Sequence, residues 1–165
     1  MWDRAKVLVT GSSGMIGREL VEQLKILGAW VIEFDIKNDK HWDVTNYYDC
    51  DHILEDYSPE YVFHLFGIKG NPKMTQKKPV DFMGPMLRGD TNMILTAQIN
   101  NVKRFLYTSS IAVEHPEDDK YPAWAKKTAE TLIEAMRVQY PEGTKYCIVR
   151  PANVYGRYDN FNNPN

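Results

Sequence analysis

Apolar residues along this chain follow two spacings in turn, one typical of strands and the other of helices. Five short runs rich in β-branched and aromatic residues fit strands, at 5–10, 29–35, 61–66, 103–110 and 145–151. Between the first two runs, apolar residues recur at helical spacing, at Ile16, Leu20, Leu24 and Leu27. Nearly continuous apolar strands that alternate with helices predict an α/β fold, with a parallel sheet covered on both faces.

The remaining segments complete this pattern. HWDV at 41–44 fits a short further strand, and DCDHILEDY at 49–57 fits a short helix. Residues 67–80 are polar and rich in Gly, Lys and Pro, which predicts a loop. We expect two longer helices, from about Pro85 to Asn100 and from about Pro122 to Tyr140.

Composition and charge narrow the class of protein. The 165 residues are 43% hydrophobic and 25% charged, as in a single globular domain. The net charge of −2, without a basic stripe, argues against a nucleic-acid partner. No apolar run approaches the ~20 residues of a transmembrane helix, and the N-terminal run is too short for a secretory signal. Cys50 and Cys147 lack metal-ligand spacing, which predicts unpaired thiols in a reducing cytoplasm and no metal site.

A glycine-rich turn joins the first predicted strand to the first helix. In VTGSSGMIG, Gly11 permits the tight turn, Gly14 lets the backbone approach a pyrophosphate, and Gly17 lets helix and strand pack closely. The free N–H groups at the start of the helix favour an anion there. The strand before the turn and the helix after it indicate a dinucleotide site, although a glycine turn with only a packing role is the alternative.

Two aspartates follow at positions suited to the adenosine part of a dinucleotide. Asp35 closes the second strand, where a carboxylate can accept hydrogen bonds from the ribose and repel a 2′-phosphate, which favours NAD over NADP. Lys37 is close enough to soften that preference. Asp43, before Val44, suits the adenine amino edge. Either aspartate could instead simply end a strand.

Taken in order, the motifs resemble the extended short-chain dehydrogenase/reductase family, the NAD(P)-dependent nucleotide-sugar epimerases, dehydratases and reductases. The matching segments are TGSSGMIG at 10–17, DV at 43–44, FHLFG at 63–67, YTSSIAV at 107–113, RPANVYG at 150–156 and YGRYDNF at 155–161. The last segment resembles GDP-fucose synthases and neighbouring sugar-nucleotide epimerases in particular. The resemblance implies a Rossmann-type doubly wound parallel sheet over 1–156. At 157–165 it implies the start of a substrate-binding region that is otherwise largely absent from this chain.

The resemblance also implies a chemistry. A tyrosinate takes a proton from a sugar hydroxyl while NAD takes the hydride from the same carbon, a lysine stabilises the phenolate and binds the nicotinamide ribose, and a serine orients the substrate oxygen. The residues that match these three catalytic roles are Ser110, Tyr121 and Lys126. The implied cofactor contacts are Gly11, Ser13, Gly14, Met15, Ile16, Asp35, Asp43, Val44, Leu65, Phe66, Lys126, Pro151 and Asn153.

The tyrosine departs from the pattern of the family, in which it stands four residues before the lysine. Four residues before Lys126 is Pro122, and Tyr121 is one residue too early. In a continuous helix, side chains five residues apart diverge by ~140°. If Pro122 is the first helical residue, Tyr121 lies outside the helix and can reach the same space. The simpler alternatives are a packed or surface tyrosine, a solvated Lys126 paired with Glu130, and a Ser110 that only caps a strand end.

Two functions follow from this reading. One is an NAD-dependent enzyme acting on a nucleotide sugar by transient hydride transfer, and the other is a dinucleotide-binding module without independent catalysis. The resemblance also implies a homodimer formed by the helices at about 85–100 and 122–140, which exposed Met86, Leu87, Met93 or Met136 would support.

Overall fold

Five parallel strands form one sheet in the computed structural model, which describes residues 2–68, 70, 72–117 and 120–159. The strands are β1 (Lys6–Thr10), β2 (Trp30–Phe34), β3 (Tyr61–His64), β4 (Arg104–Thr108) and β5 (Lys145–Val149). Their order in the sheet is β2-β1-β3-β4-β5, and all four pairings are parallel. The direction of winding reverses at β1, so a crevice opens outside the carboxyl ends of β1 and β3.

Five α-helices accompany the strands in the described part of the chain. They are α1 (Met15–Ile26), α2 (Tyr47–Tyr57), α3 (Pro72–Lys77), α4 (Pro79–Ile99) and α5 (Lys120–Gln139). A 3-10 helix, Ile111–Glu114, follows β4. Within the described part of the chain, no helix combines the length and apolar character needed to cross a membrane.

Alternate residues of the strands feed two hydrophobic clusters on opposite faces of the sheet. Val7 and Val9 pack with Val21 and Leu24 of α1. The larger cluster lies on the other face, where α2, α4 and α5 cover the sheet. Its members include Leu8, Phe34, Val62, Phe105, Tyr107, Cys50, Met93 and Ile133.

Coverage of the α1 face stops short of β5. Cys147 and Val149 of β5 stay exposed, with 37% of Val149 accessible. The prediction of a sheet covered on both faces is therefore confirmed for the centre of the sheet and wrong at this edge.

The predicted strand at 41–44 is absent, and that prediction was wrong. The segment forms turns instead, because the backbone N–H of His41 donates to the Asp39 carboxylate and that of Thr45 donates to the Asp43 carboxylate. The strand order thus equals that of a Rossmann sheet without its third strand.

The segment at 67–80 also differs from the predicted loop. It contains α3 and the start of α4, whose first residue is Pro79, a residue that suits a helix start because it lacks an N–H. Pro85 therefore lies inside α4 and does not begin it.

The apolar residues that would have supported a dimer are used inside the chain. Met86, Met93 and Met136 are buried, and Leu87 is half-buried. The three methionines therefore give no support to a dimer, which stays a prediction.

Candidate functional site

The loop between β1 and α1 has the close backbone packing that its glycines predict. Gly11 has φ +66°, a region that favours glycine, and a Cβ there would lie 2.9 Å from the Leu65 carbonyl oxygen. A Cβ on Gly17 would lie 2.2 Å from the carbonyl oxygen of Gly11. Only glycine fits at Gly17, because helix and loop touch through their main chains.

The first turn of α1 is open to a ligand. Gly14 occupies the N-cap position and has no side chain to cap the helix, and the first turn holds no acidic residue. Met15 is half-buried and Ile16 is 39% exposed, so the backbone at this turn borders solvent at the carboxyl edge of the sheet. Uncapped N–H groups with the positive end of the helix dipole favour a phosphate.

Asp35 lies against this loop. One carboxylate oxygen accepts a hydrogen bond from the Ser13 N–H (3.1 Å), and the other accepts from the Lys37 N–H (2.9 Å). Asn38 adds side-chain hydrogen bonds to Ser12 and to Ser13. The structure thus brings the predicted ribose-binding carboxylate to the predicted phosphate loop.

Asp43 and Val44 are neighbours in sequence but have different surroundings. The Asp43 carboxylate accepts from both the N–H and the hydroxyl of Thr45, at 2.8 and 2.9 Å, so it stabilises its own turn. Val44 is buried and lies close to Gly89 of α4, where an added Cβ would meet it at 3.1 Å. An adenine contact from Asp43 stays a prediction.

The end of β3 forms the other wall of the crevice. The Leu65 N–H donates to the Thr10 hydroxyl at 3.2 Å, which joins β3 to the strand that carries the phosphate loop. The carbonyl of Phe66 accepts a hydrogen bond from the Lys126 ammonium at 3.1 Å. Leu65, Phe66 and Lys126 therefore lie together beside the loop, and their contacts with a cofactor stay predictions.

Ser110 lies just beyond β4, which ends at Thr108. Its hydroxyl oxygen accepts from the Ala112 N–H (3.2 Å) and so caps the 3-10 helix, while its own hydrogen has no acceptor among the described residues. The Ile111 N–H donates to the Pro151 carbonyl at 3.1 Å, which places Pro151 beside this turn. Asn153 is exposed two residues further on.

Lys126 is not the solvated helix lysine that pairs with Glu130. Lys126 is only 8% exposed, and its ammonium lies 3.6 Å from a carboxylate oxygen of Asp90 and 4.7 Å from the centre of the Tyr107 ring. Glu130 pairs instead with Arg150 through two hydrogen bonds of 2.8 and 2.7 Å.

Asp90 is the centre of a buried polar network at the floor of the crevice. His64 Nε2 lies 3.0 Å from one of its oxygens, and the Tyr107 hydroxyl donates to the other at 2.6 Å. His64 Nδ1 lies 2.8 Å from the Thr10 hydroxyl. A carboxylate only accepts, so the imidazole donates from Nε2 and accepts the Thr10 hydroxyl proton at Nδ1.

The charges in this network follow from burial and pairing. Burial acts to raise the pKa of Asp90, but the charge of Lys126 and the hydrogen bonds from His64 and Tyr107 outweigh it and hold that pKa below its usual range. Burial lowers the pKa of His64 despite the carboxylate beside it, so the ring is neutral. Burial and the Asp90 charge raise the pKa of Tyr107, so this tyrosine is no base at neutral pH.

Tyr121 lies inside α5, whose described residues begin at Lys120, so the alternative in which Pro122 is the first helical residue and Tyr121 lies outside the helix does not hold. In this helix Pro122 is on the face of Lys126, and Tyr121 is ~140° away around the axis. Its ring is half-buried and contacts the Lys120 ammonium at 5.7 Å. Among the described residues, no hydrogen bond joins Tyr121 to Ser110 or Lys126, and a catalytic role of Tyr121 stays a prediction.

Sequence reasoning missed Asp90 and its partner His64. A signal was available, because Asp90 falls on the apolar stripe formed by Met86, Met93 and Ile94 of α4, where a charge needs a buried partner. His64 interrupts the apolar run of β3 at an inward position in the same way.

A parallel sheet in this strand order, with the glycine loop at the reversal of winding, defines a Rossmann-type dinucleotide-binding fold. A sequence profile of the NAD dependent epimerase/dehydratase family matches residues 7–165, and the chain belongs to that family.

Curated relatives are similar over nearly the whole chain. GDP-L-colitose synthase of Yersinia pseudotuberculosis is 26% identical over 97% of this chain and 56% of its own length. GDP-L-fucose synthase of Dictyostelium discoideum is 26% identical over 94% of this chain and 53% of its own length. The chain therefore spans about half the length of these relatives.

Solved structures show the same fold. UDP-glucose 4-epimerase of Thermus thermophilus, in complex with NAD, superimposes with a TM-score of 0.80 at 24% identity, over 94% of this chain and 57% of that one. GDP-mannoheptose C4 reductase of Campylobacter jejuni, with NADP bound, gives a TM-score of 0.83 at 21% identity, over 97% of this chain and 55% of that one.

Proposed function

We propose that this chain binds NAD and forms the cofactor half of an enzyme that modifies a nucleotide sugar by transient hydride transfer. The observation that carries the proposal is the contact of Gly17 with the Gly11 carbonyl, because that packing serves a helix terminus brought close to a pyrophosphate. The names of the curated relatives support a nucleotide sugar as the substrate class. Residues 157–159 would begin the substrate region, and 160–165 lie outside the described residues.

NAD is favoured over NADP by the Asp35 carboxylate, although structures similar to this one hold either cofactor. A 2′-phosphate of nearly two charges at ~4 Å from a carboxylate costs about 2 kcal/mol in water, which corresponds to roughly 30-fold in affinity. Lys37 reduces this difference. Titration calorimetry with both cofactors measures it, and Asp35→Asn serves as the comparison variant. Equal affinities for NAD and NADP in the wild type would contradict the assignment of Asp35.

In the proposed catalytic step, Lys126 binds the nicotinamide ribose, Ser110 orients the substrate oxygen and Tyr121 takes the proton. Lys126→Met and Tyr121→Phe are expected to abolish hydride transfer from a nucleotide sugar to NAD, which stopped-flow absorbance at 340 nm detects as transient NADH in a single turnover. Full activity in both variants would remove this mechanism.

A second candidate is NAD binding without independent catalysis, and the helical position of Tyr121 favours it. It predicts NAD binding in calorimetry with no reduction of NAD by GDP- or UDP-linked sugars. Pro122→Tyr places a phenol one turn before Lys126, on the same helix face. Exchange that appears only in Pro122→Tyr would support the second candidate, and exchange that depends on Tyr121 in the wild type would exclude it.

The chain's place in the cell belongs to the same proposal. Cys50 and Cys147 are both free thiols, which supports a reducing compartment such as the cytoplasm.

A further inference from the structure

We propose that Asp90 is a positioning residue for the cofactor, because its buried carboxylate anchors the Lys126 ammonium where the ribose of a bound dinucleotide meets it. The proposal rests on the proposed function, in which Lys126 contacts NAD. Asp90 itself touches no ligand in this account and acts only through the lysine.

The Asp90 carboxylate is held in place by partners other than Lys126. Asp90 is 1% exposed, and each of its oxygens has a protein donor, from His64 at 3.0 Å and from Tyr107 at 2.6 Å. These partners come from the ends of β3 and β4, and the Thr10 hydroxyl extends the network to β1. Three strands of the sheet therefore hold the anion in one place.

Charge then ties Lys126 to that anion. The groups that face Asp90 from β3, β4 and α5 are a neutral imidazole, a neutral phenol and the Lys126 ammonium, and Thr10 adds only a hydroxyl behind the imidazole. Among the described residues, Lys126 is the cation that balances Asp90. Withdrawal of the lysine would leave a buried carboxylate without a counter-charge, which is strongly unfavourable.

The same contacts leave Lys126 able to serve a ligand. An ammonium has three N–H donors, and among the described residues the Phe66 carbonyl at 3.1 Å accepts from one of them, while Asp90 at 3.6 Å is an ion pair beyond hydrogen-bond distance. The side chain keeps 10% of its surface exposed at the crevice. An unanchored lysine would lose this position, since its four-carbon chain is otherwise free to rotate.

A double-mutant cycle on NAD affinity tests the anchor. Calorimetry measures the Kd of wild type, Asp90→Asn, Lys126→Met and the double variant, with exposed Asp81→Asn of α4 and Lys127→Met of α5 as matched controls. Asp90→Asn and Lys126→Met are each expected to raise the Kd for NAD about tenfold, which is the scale of one charge-assisted hydrogen bond. In the Lys126→Met background, Asp90→Asn is expected to change the Kd by less than about twofold, because it has no lysine left to position.

Several results would overturn the proposal: an unchanged or tighter Kd in Asp90→Asn, an equal loss in both backgrounds, or wild-type affinity in Lys126→Met. Absence of NAD binding by the wild type would instead defeat the proposed function. Unfolding in urea tests the pairing of Asp90 with Lys126 in the absence of cofactor. The test still applies if Asp90→Asn alone does not fold, because it compares Lys126→Met with the double variant. Adding Asp90→Asn to Lys126→Met should raise the midpoint, since it removes a stranded charge, and a lower midpoint overturns the pairing.

Discussion

Replacing Gly17 with alanine tests the phosphate loop, because the added methyl group has no room. A Cβ at Gly17 would lie 2.2 Å from the carbonyl oxygen of Gly11 and 2.8 Å from Cα of Ser12. Favourable contacts between such atoms are about 3.5 Å long, so loop and helix would have to separate by about 1 Å. The obstructing atoms belong to the backbone, which cannot rotate away as a side chain can.

Two effects oppose each other in this variant. Alanine favours the helix over glycine by about 1 kcal/mol. Overpacking costs about 1–3 kcal/mol, and occasionally more. In this variant the overpacking strains a loop that is held by two hydrogen bonds, from the Gly11 N–H to the Phe34 carbonyl and from the Gly14 N–H to the Gly11 carbonyl, each 3.0 Å long. Because the obstructing atoms are backbone, we place the cost at the upper end, about 3 kcal/mol, and expect a net loss of about 2 kcal/mol in the free energy of unfolding. NAD affinity should fall at least about tenfold, because the N–H groups that face the phosphates move with the loop.

Urea unfolding followed by circular dichroism gives the stability, and titration calorimetry gives the Kd for NAD. Gly84→Ala of α4 is the matched control, since the nearest atom to its Cβ is a flexible Arg88 nitrogen at 3.6 Å. The helical gain there opposes the crowding of Pro85 against a preceding Cβ, so we expect a change within about 0.5 kcal/mol. Wild-type stability together with wild-type NAD affinity in Gly17→Ala would refute the close packing of helix and loop.

Three further outcomes follow from the packing and charges. Gly89→Ala should weaken NAD binding but lower the free energy of unfolding less than Gly17→Ala does. Its Cβ would lie 2.6 Å from the Phe66 ring, and that side chain can move aside. Equal decreases in the free energy of unfolding, measured in urea, would contradict this. Because the pKa of His64 is lower in the folded state, its contribution to stability is present above the unfolded pKa of about 6.5 and is lost as pH falls below it. Below about pH 6.5, the free energy of unfolding should therefore fall more steeply with decreasing pH in wild type than in His64→Gln, and parallel slopes would exclude the histidine. Ellman's reagent should label Cys147 rapidly and buried Cys50 only on unfolding, and two fast thiols would contradict the burial of Cys50.

The parts of the fold that sequence predicts well are those whose cause is local. The β1 strand, the glycine loop and α1 follow from adjacent residues, and Gly28 closes α1 at φ +85° as a C-terminal cap does. HWDV at 41–44 shows the opposite case. Its Trp42 packs edge-on against Phe34 with ring centres 6.3 Å apart, as a strand residue would, while Asp43 bends the backbone into a turn. Periodicity alone does not separate these two outcomes.

Side-chain partners in the site depend on packing between distant segments, which explains what the sequence could not reveal. Lys126 and Glu130 are four residues apart on one face of α5, and helical spacing predicts that they pair. The packing of α4 on α5 instead offers Lys126 the carboxylate of Asp90, 36 residues earlier in the chain. Arg150, which follows β5, reaches Glu130 from the other side.

The register of α5 bears on both candidate functions at once. Lys126 is in place beside Leu65 and Phe66 through a network that does not involve Tyr121, so cofactor binding and proton transfer depend on separate parts of the structure. A chain could therefore keep the first while lacking the second. The buried phenol near Lys126 is Tyr107, and the Asp90 charge beside its hydroxyl opposes formation of a phenolate. Proton transfer by Tyr121 would consequently require its hydroxyl to reach the crevice from ~140° around the helix axis.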